Sequence, residues 1–481
     1  MSGQIKRITR RKFLNDAVRI GAGISVGSPA FGEIISQKSE GSKPNLLFIF
    51  SDQHRAHALG CYGDRQINTP NFDKFADQGL LFKHAFSVTP VCSPFRANLM
   101  TGLYAHHNGV ITNNIPLRHD LDCIGRTFKD SGYVTGYIGK WHLGPVDIDK
   151  GPGRLGFDYW AANYSNHNYF KWHYYTGKEE MVEGEGYEPE MQTELCKDFL
   201  NKNKDKRWCL FISWGPPHPP YRAPSEYDHY QELKQRPNLK YEKAQNFFSE
   251  IGPQYYGLVE SIDIEFGKIM AALDELNLSE NTIVVYTSDH GDMLGGQGFK
   301  QKRWPYEESI NIPFLIRWPR KIQGGGKTDT LFCSIDFFPT LTGLAGLDVP
   351  SGLDGKDLSP LILGKKPDTE PEYAYLTMHY GFVPWPGWRG IRTRDYLYAR
   401  TKKRPWLLFN LNNDPYQLEN LVTDSGKKVL AEEMDSYLAE IMKKVGDSWE
   451  ISTTEGDIKN WIPPGKKFDY QDLGGICPLK S

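Results

Sequence analysis

The sequence predicts an α/β fold: a sandwich of helices around a large, mainly parallel β-sheet, with a smaller C-terminal α+β region that carries an antiparallel sheet. Three observations predict it. The runs Pro44 to Phe50, Trp208 to Trp214 and Ile283 to Thr287 are continuously apolar, as strands buried on both faces of a parallel sheet are. Between them lie segments whose apolar residues recur at helical spacing. After about Leu363 the pattern changes to short alternating runs with turns. Strands alternating with helices build a layered α/β domain, and ligands gather beyond the carboxyl ends of its strands.

In chain order, Thr9-Arg10-Arg11-Lys12-Phe13-Leu14 precedes a mildly apolar run from Ala17 to Phe31. A twin arginine followed by Phe-Leu looks like a bacterial twin-arginine export signal, which sets an expectation of periplasmic or secreted location. The run is too short, and too broken by Arg19, to span a membrane. Ser28-Pro29-Ala30 fits a small-residue cleavage site, so residues 1–35 are set aside from the fold. The main domain is expected over 42–365. Its helices are expected at Asn71 to Gly79, Ile124 to Ser131, Glu194 to Asn201 and Tyr255 to Leu276; the last carries Leu258, Ile262, Phe266, Ile269 and Leu273 on one stripe. The aromatic segment Asn163 to Tyr175 reads as an inserted loop. Lys365-Lys366-Pro367 reads as a linker into a C-terminal subdomain, 366–481, with strands around Ala374, Trp388 and Asp395 and a helix from about Lys427 to Val445.

Composition excludes several classes. A net charge of −2 leaves no nucleic-acid footprint, and no apolar stretch is long enough for a transmembrane span. The seven cysteines (61, 92, 123, 196, 209, 333, 477) show neither C-x-x-C nor zinc spacing. Those other than Cys92 are expected in the core.

Cys92 stands apart. In Cys92-Ser93-Pro94-Phe95-Arg96, Pro94 is expected at the first helical position, which places Cys92 at or just before a helix N-terminus. There the backbone N–H groups and the dipole attract anions and lower a thiol's pKa. Arg96 adds a permanent cation with a planar fork of donors. Two acidic turns follow strands, Ser51-Asp52-Gln53 and Ser288-Asp289-His290-Gly291-Asp292, and oxygen-rich sets of this kind suit a hard divalent cation. Lys140 and His142 lie two apart between glycines, so an extended segment would present both on one side. Prolines on both sides of His218 hold it in a rigid loop after a strand.

C-x-P-x-R followed by Thr101-Gly102 resembles the signature of the type I, formylglycine-dependent sulfatases of the alkaline phosphatase superfamily. The resemblance implies that a formylglycine-generating enzyme oxidises Cys92 to an aldehyde, which hydrates to a geminal diol. It assigns Asp52, Asp289 and His290 as metal ligands, Gln53 as a further one, and the modified Cys92 as completing the shell. Gln53 and His290 depart from the commonest pattern of two aspartates and Asp-Asn. The same pair resembles the branch with choline-sulfatases and phosphonate monoester hydrolases. The implied ion is Ca²⁺, with Mn²⁺ as the alternative.

The resemblance also implies that Lys140 and His142 contact the hydrate, that Lys302, in preference to Lys300, reaches the sulfate, and that Arg96 orients the hydrate. One hydroxyl of the diol would attack sulfur, His218 or Lys302 would protonate the leaving oxygen, and His142 would take the second hydroxyl's proton. The expected substrate is a sulfated carbohydrate, with Asn163 to Tyr175 and Phe382 to Arg389 as candidate subsites. The competing functions are a phosphonate monoester or phosphodiester hydrolase using the same aldehyde, an aryl or choline sulfatase, and a carbohydrate-binding protein with a decayed site. Every catalytic position is filled, which argues against decay.

Overall fold

The structure, a computed structural model, describes residues 43–365, 370–379 and 387–449. The expected export signal with its cleavage site, the Lys366-Pro367 linker, Phe382 and Cys477 lie outside the described residues.

The main sheet has ten strands: β1 (Asn45–Asp52), β2 (Leu80–Phe86), β3 (Val134–Lys140), β4 (Tyr159–Asn163), β5 (Lys171–Gly177), β6 (Glu180–Glu185), β7 (Trp208–Pro217), β8 (Thr282–Ser288), β9 (Asn311–Arg317) and β10 (Gly326–Cys333). Their order is β10-β2-β9-β8-β1-β7-β3-β4-β5-β6. The central run β8-β1-β7-β3-β4 is parallel throughout, while β9 and the β5–β6 pair run antiparallel to their neighbours.

Alternation along β1 shows why the run is apolar at every position. Leu46, Phe48 and Phe50 enter one core with Phe337, Phe338 and Leu341, whereas Leu47 and Ile49 enter another with Ile262, Phe266 and Ile269. Each such side chain contributes about 1.5–3 kcal/mol by leaving water. A strand in the middle of three layers has no polar face to show.

Three expectations need correction. The segment Asn163 to Tyr175 is no inserted loop: it leads into β5 and β6, a hairpin that extends the sheet edge and buries Trp172 and Tyr174. The helix expected at Tyr255 begins at Glu242 and runs through Pro253, because the buried faces of Ala244 and Phe248 hold its first turns against the cost of an interior proline. The helix at Glu194 likewise begins earlier, at Glu188, with Pro189 in its first turn, where a missing N–H costs nothing.

The second sheet is antiparallel, β11 (Ala374–Met378), β12 (Trp388–Arg392), β13 (Tyr396–Thr401) and β14 (Pro405–Asn410) in sequence order. The helix Lys428–Lys444 covers it with Met434, Leu438 and Ile441. Trp388 and Arg389, expected beside a subsite, are buried in this core and bond to the Arg303 carbonyl and to Asp447. Cys123, Cys196, Cys209 and Cys333 are buried and unpaired, and Cys61 is half-buried.

Candidate active site

Four parallel strands end on one edge, and each delivers a polar group there. At the end of β1 come Asp52 and then Gln53, after β8 Asp289 and His290, at the end of β3 Lys140 and then His142, and after β7 His218. Topology therefore joins residues that are far apart in sequence.

The helix Cys92–Thr101 points its start at this edge. Cys92 is its first residue and Pro94 its third, so the proline sits two positions deeper than expected, still within the turn whose N–H groups lack helical partners. The Ser93 N–H donates to Asn113 Oδ1 at 3.0 Å, and Ser93 Oγ donates to the His142 carbonyl at 2.7 Å. Thr101-Gly102 ends the helix: Gly102 takes φ +67° and its N–H returns to the Asn98 carbonyl.

Asp52, Cys92, Asp289 and His290 are fully buried, with one donor atom from each inside a 4.8 Å cluster. His290 Nε2 lies 3.3 Å from Cys92 Sγ and 3.4 Å from Asp289 Oδ1. Its Nδ1 donates to the Gly291 carbonyl at 3.0 Å, which leaves the Nε2 lone pair for the cluster. Two carboxylates, an imidazole lone pair and the atom at position 92 fit a hard divalent cation, and the imidazole also admits Mn²⁺.

The cations that balance the cluster are buried with it. Arg96 donates through Nη2 to Asp52 at 3.4 Å and Asp289 at 3.3 Å, and through Nη1 to the Lys140 carbonyl and Ser213 Oγ. Lys140 Nζ reaches Asp52 Oδ2 at 2.6 Å. Burial resists ionisation of Asp52, but Lys140, then His218, His290 and Arg96, hold its carboxyl well below the usual range. Asp289 is pushed up to about 6 by burial and by Asp52 beside it. Burial and Asp52 oppose a Cys92 thiolate, yet Lys140, Lys302 and His290 bring the thiol down to about 5.

His142 does not share a strand face with Lys140. β3 ends at Lys140, and His142 takes φ +56°, which turns its ring out of the strand alternation. Gly139 makes this corner possible: a Cβ there would lie 2.1 Å from the Ser213 carbonyl oxygen. The His142 ring is buried with Nδ1 unpartnered, and burial, Lys140 and Arg96 keep it neutral well below the usual histidine pKa. His218 is half-buried, donates from Nδ1 to the Pro219 carbonyl at 2.7 Å, and is lowered by burial and by Lys302.

Lys302 enters the site and Lys300 does not. Lys302 Nζ donates to Gln53 Oε1 at 2.6 Å, while Lys300 Nζ lies over the Phe247 ring. Gln53 is thus placed beside the cluster with its carbonyl already accepting from Lys302.

Several contacts here escaped the sequence reading. Asp292 and Tyr221 bond beside Gln53. The His167 ring lies against that of His218, tilted by 34° with centroids 4.6 Å apart. Glu188, pushed up to about 8 by burial, accepts from Asn163, Asn166 and Gln192. The repeated asparagines of 163–168 were the available signal for a polar-bonded turn.

Among the described residues a second ligand-like group, His106, His379 and Asp447, lies elsewhere. Arg389 Nη2 donates to His379 Nδ1 at 2.9 Å, so the proton of the neutral ring sits on Nε2 and that atom cannot ligate. The Arg389 cation also lies against Asp447, so this group is a hydrogen-bonded clasp and not a cation site.

Comparison with known proteins adds an independent finding. Residues 44–347 match the family model described as Sulfatase, and residues 295–444 match N-sulphoglucosamine sulphohydrolase, C-terminal. The chain is 36% identical over 470 residues to an ulvan-active sulfatase of Formosa agariphila, across 89% of this chain and 91% of that protein. It is 30% identical over 497 residues to an endo-4-O-sulfatase of Bacteroides thetaiotaomicron, across 87% of this chain and 95% of that protein. A solved structure, the sulfatase yidJ from Bacteroides fragilis, matches with a TM-score of 0.79 at 30% identity, over 86% of this chain and 98% of that one.

Proposed function

The chain belongs to the sulfatase family of the alkaline phosphatase superfamily and is a sulfuric ester hydrolase; from that premise we propose that it cleaves sulfate esters on a sulfated carbohydrate, using a formylglycine made from Cys92 and a divalent cation. The observation that carries the chemistry is the buried Asp52–Cys92–Asp289–His290 cluster at a helix start, flanked by Lys140, Arg96 and Lys302. The names of the relatives, an ulvan-active sulfatase and an endo-4-O-sulfatase, support a glycan substrate.

A cation held by Asp52, Asp289, His290 and the group at position 92, with the Gln53 carbonyl beside them, would supply Lewis acidity at the sulfate oxygens. Formylglycine at position 92 would supply paired hydroxyls where a thiol offers none. Lys140 and Lys302 bind the sulfate oxygens and neutralise charge that develops on them. Arg96 locks Asp52, Asp289 and the Lys140 carbonyl in one frame. His218, with Nδ1 committed to the Pro219 carbonyl, carries the leaving-group proton on Nε2; an arriving sulfate favours that protonation. His142, neutral and unpartnered at Nδ1, accepts a proton there in the second half of the cycle.

His142→Ala is expected to lower kcat by about 10²–10⁴-fold with little change in KM. The acid limb of the rate, which lies below an ordinary histidine because burial and Lys140 lower His142, should flatten in the variant. A kcat close to wild type, measured by sulfate release from pH 4 to 9, removes His142 from this role.

The substrate is tested on a panel of sulfated polysaccharides, their oligosaccharides, aryl sulfate, choline sulfate, and aryl phosphodiester and phosphonate esters. Turnover led by a sulfated glycan is expected. A preference for the phosphodiester or phosphonate sinks the sulfatase specificity, and activity confined to aryl or choline sulfate sinks the glycan proposal.

A further inference from the structure

We propose that Asp292 is a positioning residue for Lys302, acting through the Gln53 amide. The Gln53 backbone takes φ +70° directly after β1. Its N–H donates to Asp289 Oδ1 at 2.9 Å, and its carbonyl accepts from Tyr255 Oη at 2.8 Å. Both backbone groups are therefore pinned, and the side chain leaves in a set direction.

Its neighbours then decide which way the amide faces. An ammonium only donates and a carboxylate only accepts, so Oε1 must meet Lys302 and Nε2 must meet Asp292. The distances are 2.6 Å to Lys302 Nζ and 2.5 Å to Asp292 Oδ2, and all three side chains are buried. The amide dipole lies between an anion and a cation with its ends matched to both. In a low-dielectric interior the two hydrogen bonds strengthen each other. Asp292 thus offsets, at one amide's remove, the cost of burying an ammonium.

Asp292 is itself held. Its Oδ1 accepts from the Leu294 N–H at 2.9 Å, and its Oδ2 also accepts from Tyr221 Oη at 2.7 Å. Tyr221 stands three residues after His218, on the loop that leaves β7. One carboxylate therefore ties together the turn after β1, the turn after β8 and the loop that carries His218. Moving it changes where Lys302 points without touching Asp52, Asp289 or His290.

The inference rests on the reading of Lys302 as a sulfate contact, and the test separates the two. Three variants are compared with wild type: Asp292→Asn, Gln53→Glu, and the two together. The double variant is isosteric and moves the charge by one link. The carboxylate now at position 53 accepts from Lys302 and from the amide nitrogen now at position 292, whose second N–H is left for Tyr221 Oη to accept while its carbonyl keeps the Leu294 N–H. Asp292→Asn is expected to lower kcat/KM about ten- to a hundredfold, the weight of a hydrogen bond to a charged group. Gln53→Glu sets two buried carboxylates against each other and should be impaired at least as much. The double variant should recover most of the loss. Calorimetric binding of inorganic sulfate should weaken and recover in the same order.

A role that is only structural predicts lowered melting in Asp292→Asn and no recovery in the double variant, and that result overturns the proposal. Wild-type kinetics in Asp292→Asn overturn it too. If wild type releases no sulfate and binds none, the reading of Lys302 fails first and the inference with it; an active wild type with an unrecovered double variant fails the inference alone.

Discussion

Cys92→Ala is expected to abolish sulfate release, with a loss of about 10⁴-fold or more, because the group that every other site residue serves is removed. Cys92 is 1% exposed, and its Sγ faces His290 Nε2 at 3.3 Å and Asp52 Oδ1 at 3.7 Å. Alanine keeps the helix start intact, since the Phe95 N–H to Val91 carbonyl bond and the Ser93 side-chain bond do not involve the thiol. The folded state should therefore survive while turnover does not. Cys92→Ser adds a second reading, because serine offers one hydroxyl and a hydrated aldehyde offers two. Mass spectrometry of the peptide containing Cys92, taken from protein made with a modifying enzyme present, should show the aldehyde form. Unmodified thiol in fully active enzyme would end the formylglycine reading. Turnover by Cys92→Ala at the wild-type rate would end the assignment of the site.

The largest effect on stability is expected from Asp447→Asn. Asp447 follows the helix Lys428–Lys444 and accepts from Arg389 Nε at 2.5 Å and Arg389 Nη2 at 3.0 Å. Tyr375 Oη and the Trp449 N–H complete its partners, at 2.8 and 2.9 Å. Arg389 is 1% exposed, so an amide at 447 leaves a guanidinium buried without its anion, a loss of about 3–5 kcal/mol. The pH dependence has a definite sign. Burial opposes the Asp447 charge, but the Arg389 hydrogen bonds and charge outweigh it and depress the carboxyl below its ordinary value. The contribution is thus complete above the unfolded carboxylate pKa, about 3.9, and is lost as pH falls through the lower folded value. Scanning calorimetry should show a wide gap in melting temperature between wild type and variant at pH 7, narrowing in acid. Equal melting at pH 7 would mean that the clasp contributes nothing.

How far the fold could be read in advance depended on what each strand buries. β1, β7 and β8 were legible because both faces are covered and every position is apolar. β3 was not, because Gly136 and Gly139 look like breakers in sequence. In the structure a Cβ at Gly136 would come within 2.9 Å of Leu210 and Phe199, and one at Gly139 would strike the β7 backbone, so the residues that hid the strand are what let it pack. The β5–β6 hairpin was hidden by its mix of aromatic and charged residues, which reads as loop until an edge is found for it.

The site divides in the same way. Asp52, Cys92, Lys140, Asp289 and His290 fall in short local motifs, and the structure brings them together. Asp292 accepts from Gln53 across 239 residues, and Tyr221, from the far end of a proline-rich loop, donates to Asp292. No local pattern carries such a contact; only the closed sheet does.

The central place of β1 also has a consequence in time. Its partners are β7 and β8, and its pairings with β8 join residues more than 200 positions apart, such as Phe48 with Val285. During synthesis the strand emerges before the other described strands, with Leu47, Phe48 and Ile49 uncovered, and must wait until residue 208 for β7 and residue 282 for β8 to begin. Non-local pairing of this kind is slow, and the waiting apolar surface invites aggregation. The first of the described strands is enclosed only once β7 and β8 have been made, and the site at its end comes into being only then.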